Sequence, residues 1–126
     1  MVVEVPVGAK LQVWVGLKNN LDERLDCKVW VGIEDPEKGH IEGWEKTSPS
    51  FQLPSKTETT QVSNIMVQFD NPIPYDWVDK TFDILVFVYD PKNPERRYGK
   101  TYVEDAFKVI GAGKEVEIVN ISIKPI

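Results

Sequence analysis

Cysteine and histidine are nearly missing from this chain of 126 residues, which contains one of each, Cys27 and His40. One cysteine cannot form an internal disulfide, and a zinc site needs more thiolate and imidazole ligands than the chain offers. A reactive thiol needs a histidine nearby, whereas His40 lies in a turn-like stretch and Asp26 directly precedes Cys27. We therefore expect Cys27 to be a buried core residue, and we expect no metal and no other cofactor.

Long apolar runs and clusters of positive charge are also scarce. No stretch reaches the roughly 18 apolar residues of a membrane-spanning helix, so we predict no membrane insertion of this segment. The 15 Lys and Arg residues are outnumbered by 20 Asp and Glu residues, which gives a net charge of −5. The one tight basic cluster is Arg96, Arg97 and Lys100. Nucleic acid is not an expected partner, because its binders gain affinity by neutralising phosphates with many basic side chains.

Helical periodicity is the third absence, since no stretch keeps a 3.6-residue apolar repeat over three turns. Val and Ile instead dominate the apolar residues, and branched side chains favour strands. Turn-forming residues separate the predicted strands, which lie at 2–7, 10–18, 26–34, 50–53, 58–69, 81–90, 100–110 and 115–123. This rhythm predicts an all-β, antiparallel, immunoglobulin-like sandwich of about seven or eight strands with little or no helix.

The end of the chain differs from the rest. A Gly-Ala-Gly hinge precedes the sequence "EVEIVNISIKPI", in which Val119, Ile121 and Ile123 share one face of an extended strand. We predict a sandwich at 1–110 and a hinge plus an extra terminal strand at 111–126. An apolar edge strand needs a partner, so this strand is docked on the same domain, swapped, or continued into a further domain.

A repeated tetrapeptide, Val-Trp-Val-Gly, supplies the first candidate binding residues, Trp14 and Trp30. Alternation places each tryptophan on the same face as the glycine two residues later, Gly16 or Gly32, where a large ring has room to lie flat. Two arrangements are open. If the two strands form one hairpin, the rings make a cross-strand patch; if the strands belong to different sheets, the rings face outward on opposite sides.

Two further candidates, Tyr75 and Trp77, lie in a loop-like stretch, as does Trp44. Together Tyr75 and Trp77 form either an exposed aromatic tip that binds a sugar or a plug that closes one end of the sandwich. The interpretation favours the plug, because a large ring gains much from burial.

The carboxylates do not suggest a catalytic site. Glu104, Asp105 and Asp83 are conceivable paired carboxylates, but Glu104 and Asp105 are adjacent on a predicted strand and point to opposite faces, so these two cannot act together as an acid–base pair. Two acidic loops contain possible calcium ligands, but neither has the spacing of an EF-hand. We predict that the chain is not an enzyme.

Three stretches resemble the CARDB (cell-adhesion-related) type of immunoglobulin-like module found in bacterial and archaeal proteins. They are "VWVGLKNNLDERLDCKVWVGI", "FQLPSKTETTQVSNIMVQF" and "TFDILVFVYDPKNPE", and the resemblance extends from Lys10 to Ile110. It implies a spacer, adhesion or assembly module, with a cell-surface or extracellular location.

These observations predict a non-enzymatic interaction or assembly module that associates through a sheet edge or through the face of Trp14 and Trp30. The expected partner is a protein, either a second copy or a neighbouring domain. The alternative is a carbohydrate-binding module that holds a polysaccharide on Trp14 and Trp30, or on Tyr75 and Trp77. Abundant Lys and Glu with few Gln also hint at a thermophilic source.

Overall fold

The computed structural model describes residues 2–111, 120 and 122–125. Within these residues the chain forms eight strands and one short 3₁₀ helix at Tyr75–Trp77. The strands are β1 (Val3–Pro6), β2 (Lys10–Leu17), β3 (Leu25–Asp35), β4 (Gly39–Thr47), β5 (Phe51–Leu53), β6 (Ser63–Pro72), β7 (Thr81–Asp90) and β8 (Asn93–Ile110). None of the described helical residues makes a helix long and apolar enough to cross a membrane.

The strands form two sheets of unequal size. The larger sheet has the order β1-β8-β7-β3-β4, with β5 paired to the start of β3, and the smaller sheet contains β2 and β6. Only the pairing of β1 with β8 is parallel among the described strands. The predicted all-β sandwich is confirmed, and β2 and β3 lie in different sheets, as in an immunoglobulin-like fold.

Alternation along the strands builds the core between the sheets. The inward side chains of β3 are fully buried, and those of β7 and β6 face them: Cys27, Val29, Val31 and Ile33 from β3, Val86 and Val88 from β7, and Val67 and Phe69 from β6. Cys27 is thus a core residue, as expected. Its burial, assisted by the nearby carboxylates of Asp26 and Asp90, raises the pKa of the thiol to about 11, so the thiol stays protonated at neutral pH.

Strand β4 was not predicted, because its residues were interpreted as turns and loops. It forms a hairpin with β3 and lies at the edge of the larger sheet. Its sequence hides this role, since an edge strand can expose polar side chains on its outer face, as His40 and Glu45 do here. Gly43, with a φ of 83°, further interrupts the apolar alternation that marks a strand.

Two strand boundaries also differ from the prediction. Strand β8 begins at Asn93, because a two-residue turn joins it to β7, with the backbone N–H of Lys92 donating to Asp90 Oδ1 at 2.9 Å. Strand β6 begins at Ser63 rather than at 58, because Glu58 is held in a turn where its Oε2 accepts the Ser55 N–H at 2.7 Å. The predicted strand at 115–123 lies for the most part outside the described residues.

One end of the sandwich is closed by a cluster of packed aromatic rings. The Trp77 ring centroid lies 4.6 Å from that of Trp44 and 4.4 Å from that of Phe82, and Trp44 also packs on Phe69. Both tryptophans are buried. Trp77 therefore belongs to a plug, as the favoured interpretation predicted. Tyr75 does not, because it is 80% exposed, so the two rings do not form a shared tip or a shared plug.

Candidate functional site

Trp14 and Trp30 lie on opposite outer faces of the molecule. Trp14 is on β2 of the smaller sheet, opposite Met66, and is 65% exposed. Trp30 is on β3 of the larger sheet, between Thr47 of β4 and Phe87 of β7. The cross-strand patch that a single hairpin would have made is therefore absent. The reason is topological, because β2 pairs with β6 and β3 pairs with β4 and β7.

The Trp30 ring packs over Gly32, where the sequence predicted room for it. A Cβ placed on Gly32 would collide with the carbons of this ring. Trp30 also packs on Phe87 and His40, with ring centroids 5.5 and 5.6 Å away. The same prediction is wrong for Trp14, because the nearest atoms to a Cβ on Gly16 belong to other residues of the chain.

Beside Trp30 the outer face of the larger sheet carries a shallow depression of about 300 Å³, lined by Trp30, Phe87, Tyr89, Pro94 and Arg97. The guanidinium of Arg97 lies 4.1 Å above the centroid of Phe87, and the ammonium of Lys100 lies 5.6 Å from it. These cations cover Phe87 on the outer face of β7. Strand β7 lies inside its sheet, between β8 and β3.

His40 stands between two carboxylates on the same face. Its Nδ1 lies 2.9 Å from Glu34 Oε2, and its Nε2 lies 2.7 Å from Glu45 Oε2. Partial burial opposes the charged imidazolium, but the hydrogen bonds to Glu45 and Glu34 outweigh it and raise the pKa of His40. Both ring nitrogens are engaged, which makes His40 a structural link between β3 and β4 in this structure.

Asp83 is a buried carboxylate that links β7 to β8. Its Oδ2 accepts the hydroxyl of Tyr102 at 2.6 Å, and its Oδ1 accepts the backbone N–H of Asp105 at 2.8 Å. The hydrogen bond to Asp83 raises the pKa of Tyr102 to about 12. Both Asp83 oxygens are thus occupied, and Asp105 reaches Asp83 through its backbone rather than through its carboxylate. Across the described ranges, no three His, Cys, Asp or Glu side chains are placed to hold a metal ion.

The feature that the sequence did not reveal is an opening on one side of the sandwich. The β8 side chains that pair with inward residues of β7 differ in burial along the strand. Near the end of β8, Phe107 is only 2% exposed and Val109 is buried, whereas Val103 is 42% exposed and Thr101 is also exposed. The end of β8 at Phe107 and Val109 is therefore covered, whereas Thr101 and Val103 lie beside the two-stranded smaller sheet and are not covered by any strand that the structure describes.

The uncovered region is a groove of about 450 Å³ between β2 and β8, which we call the β2–β8 groove. Its apolar lining includes Val13, Val15 and Leu17 from β2, Val86 from β7, and Val103 and Ala106 from β8. The β2 residues are only half-buried, although they face the core. Trp14 lies at the rim.

A backbone edge borders the β2–β8 groove. Along the side, the edge of β2 that faces away from β6 pairs with no other strand in the described part of the chain. The groove therefore combines an apolar floor with free backbone hydrogen-bonding groups.

Comparison with models of known protein families finds none that matches the chain, and no curated protein sequence is significantly similar to it.

Proposed function

We propose that this chain is a non-enzymatic assembly module that accepts a β-strand from a protein partner in the β2–β8 groove. The observation that carries the proposal is the exposure of the inward face of β8 at Thr101 and Val103, next to the free edge of β2. An apolar side chain that faces the core and still meets solvent is a surface that a further strand beside β2 would cover.

A strand added beside β2 would meet both needs of the groove. Its backbone would pair with the free N–H and C=O groups of β2, as in recognition by β-strand addition. Its inward side chains would pack on Val15, Val86 and Val103, and each fully buried aliphatic side chain contributes about 1.5–3 kcal/mol. Residues on the outer face of the added strand would extend the surface beside Trp14.

The absence of a catalytic role is part of the proposal. The Cys27 thiol is buried and protonated, both oxygens of Asp83 accept hydrogen bonds, and both nitrogens of His40 are engaged. The resemblance to CARDB modules supports an assembly role and, with it, a cell-surface or extracellular location.

Carbohydrate binding by a tryptophan platform has less support. A sugar platform needs exposed, nearly coplanar rings on one face, whereas Trp14 stands opposite Met66 and Trp30 is half-buried on the other sheet. The second candidate pair is also divided, because Tyr75 is exposed and Trp77 is buried in the plug.

Light scattering during size-exclusion chromatography tests the proposed function. We expect the full chain to self-associate as its concentration rises and a Val103→Asp variant to remain monomeric, because the new carboxylate would lie on the floor of the groove. Tyr75→Asp is the matched control, since it adds the same charge at an exposed position outside the groove. A full chain that is monomeric throughout, or a Val103→Asp variant that associates as strongly, would contradict the proposal. Circular dichroism checks that both variants keep their strands.

A further inference from the structure

We infer that the strand accepted by the β2–β8 groove is the segment 119–123 of a second copy of this chain. The inference rests on the proposed function and adds the identity of the partner. It would make the protein its own ligand, with a donor segment at the end of the chain and an acceptor groove on the sandwich.

The first support is a match of length and pattern. The lining of the groove on β2 extends over the five residues from Val13 to Leu17, with apolar side chains at alternate positions. The segment 119–123 reads Val-Asn-Ile-Ser-Ile and has the same alternation. At about 3.3 Å per residue, both stretches are about 17 Å long. Val119, Ile121 and Ile123 would face the floor, and Asn120 and Ser122 would face solvent.

The second support is the exposure of the donor residues in their own chain. Ile123 is 91% exposed, and its described neighbours Asn120 and Ser122 are exposed as well. In a single copy, the apolar β2–β8 groove is therefore not filled by any described strand. The segment 119–123 has the alternating pattern of a strand, and its Ile123 is exposed to solvent. Transfer of one into the other would remove both apolar surfaces from water.

The position of the segment in its own copy favours donation to a second copy over insertion into the same copy. Ile123 is 91% exposed, and none of the residues that line the β2–β8 groove belongs to the described part of the segment. The described part of the segment is therefore available to the groove of another copy.

Donation in this sense makes a head-to-tail contact, because the donor segment and the acceptor groove are different surfaces. Such a contact produces a closed ring if its rotation closes and an open filament if it does not. In an open assembly, the copy at one end would keep a free groove and the copy at the other end a free segment. Growth would therefore depend on protein concentration.

Disulfide trapping between separately made variants tests whether the strand comes from another copy. Trp14→Cys places a thiol on the outer face of β2, and Ser122→Cys or Asn120→Cys places one on the outer face of the donor segment. The buried Cys27 does not compete. We expect a mixture of Trp14→Cys with either donor variant to form a disulfide-linked heterodimer under mild oxidation. Tyr75→Cys mixed with Ser122→Cys is the control for random collision, and it should give little product.

Charge substitutions on the two faces of the segment test the same inference without cross-linking. Ile121→Asp with Ile123→Asp should weaken self-association more than about tenfold, because two buried isoleucines are lost from the contact. Asn120→Asp with Ser122→Asp adds the same charge to the outer face and should change association by less than about threefold.

The outcomes separate this inference from the proposed function. The double variant Trp14→Cys with Ser122→Cys completes the set. If it forms a disulfide only within one copy, and the mixed single variants form none between copies, donation to a second copy is overturned. If Val103→Asp abolishes association while Ile121→Asp with Ile123→Asp does not, the inference fails and the assembly function stands with a different strand. If Val103→Asp has no effect either, both fail.

Discussion

The indole of Trp30 packs over Gly32, two residues further along β3, on the outer face of a strand that is buried on its other face. The contact explains why a glycine occupies the middle of a central strand, where it packs less surface than other residues would. It also fixes Trp30 between Phe87 and His40.

We expect Gly32→Ala to destabilise the protein by about 1–3 kcal/mol, because the added methyl group would displace the Trp30 ring from its position on the sheet. The matched control is Gly99→Ala on β8, where a Cβ meets no atom within 4 Å and where the change should be below about 1 kcal/mol. Urea unfolding followed by tryptophan fluorescence measures both variants. A Gly32→Ala variant as stable as the native chain would show that the ring does not depend on the glycine.

His40 should make stability depend on pH. Because its pKa is raised in the folded state, its contribution is complete below the ordinary histidine value of about 6.5 and is lost as the pH rises through the folded pKa. The contribution should be about 1 kcal/mol or less, since 35% of the side chain is exposed and water screens the pairs. The difference in unfolding free energy between the native chain and His40→Gln should therefore shrink from pH 6 upward. A constant difference over this range would contradict the assignment.

Tyr102→Phe should destabilise the protein by about 1–2 kcal/mol, because it removes the hydroxyl donor of a 2.6 Å hydrogen bond to the buried carboxylate of Asp83. Tyr75→Phe, at an exposed position, should have no measurable effect. Chemical denaturation gives both values. An ultraviolet titration should also lose its tyrosine with a pKa near 12 in the Tyr102→Phe variant. Equal stability of both variants would show that Asp83 does not need this donor.

Trp77→Ala should cost about 3–5 kcal/mol of stability, since it removes a buried ring that packs on both Trp44 and Phe82. Trp14→Ala, in contrast, removes an exposed ring and should change the stability of the monomer by less than about 0.5 kcal/mol. Thermal unfolding of dilute samples compares the two. A Trp77→Ala variant that unfolds with the native midpoint would contradict the plug.

Local pattern was enough to predict the class of fold and the direction of most side chains. Alternation in β2 and β3 placed each valine inward and each tryptophan outward, because the side-chain period of a strand is fixed at two residues. Alternation fails where a strand is polar and lies at an edge, which is why β4 was missed. It also fails where a turn is tighter than its composition suggests, as between β7 and β8.

Local sequence patterns could not predict the candidate site, for a different reason. The β2–β8 groove depends on how many strands each sheet contains, which is a property of pairing between distant segments. Nothing local to Val103 indicates that none of the described strands covers it. The sequence did show a terminal segment with unpaired apolar character, and the groove supplies a place for it.

The most direct test of strand addition is hydrogen exchange of the β2 backbone at Lys10–Leu17. Alternate amides of an edge strand point away from its only partner and exchange rapidly unless another strand pairs with them. We predict that exchange in Lys10–Leu17 slows as protein concentration rises, while β4 at Gly39–Thr47, which is also an edge strand, keeps its rate. A rate in β2 that does not change with concentration, or an equal slowing in β4, would contradict the account.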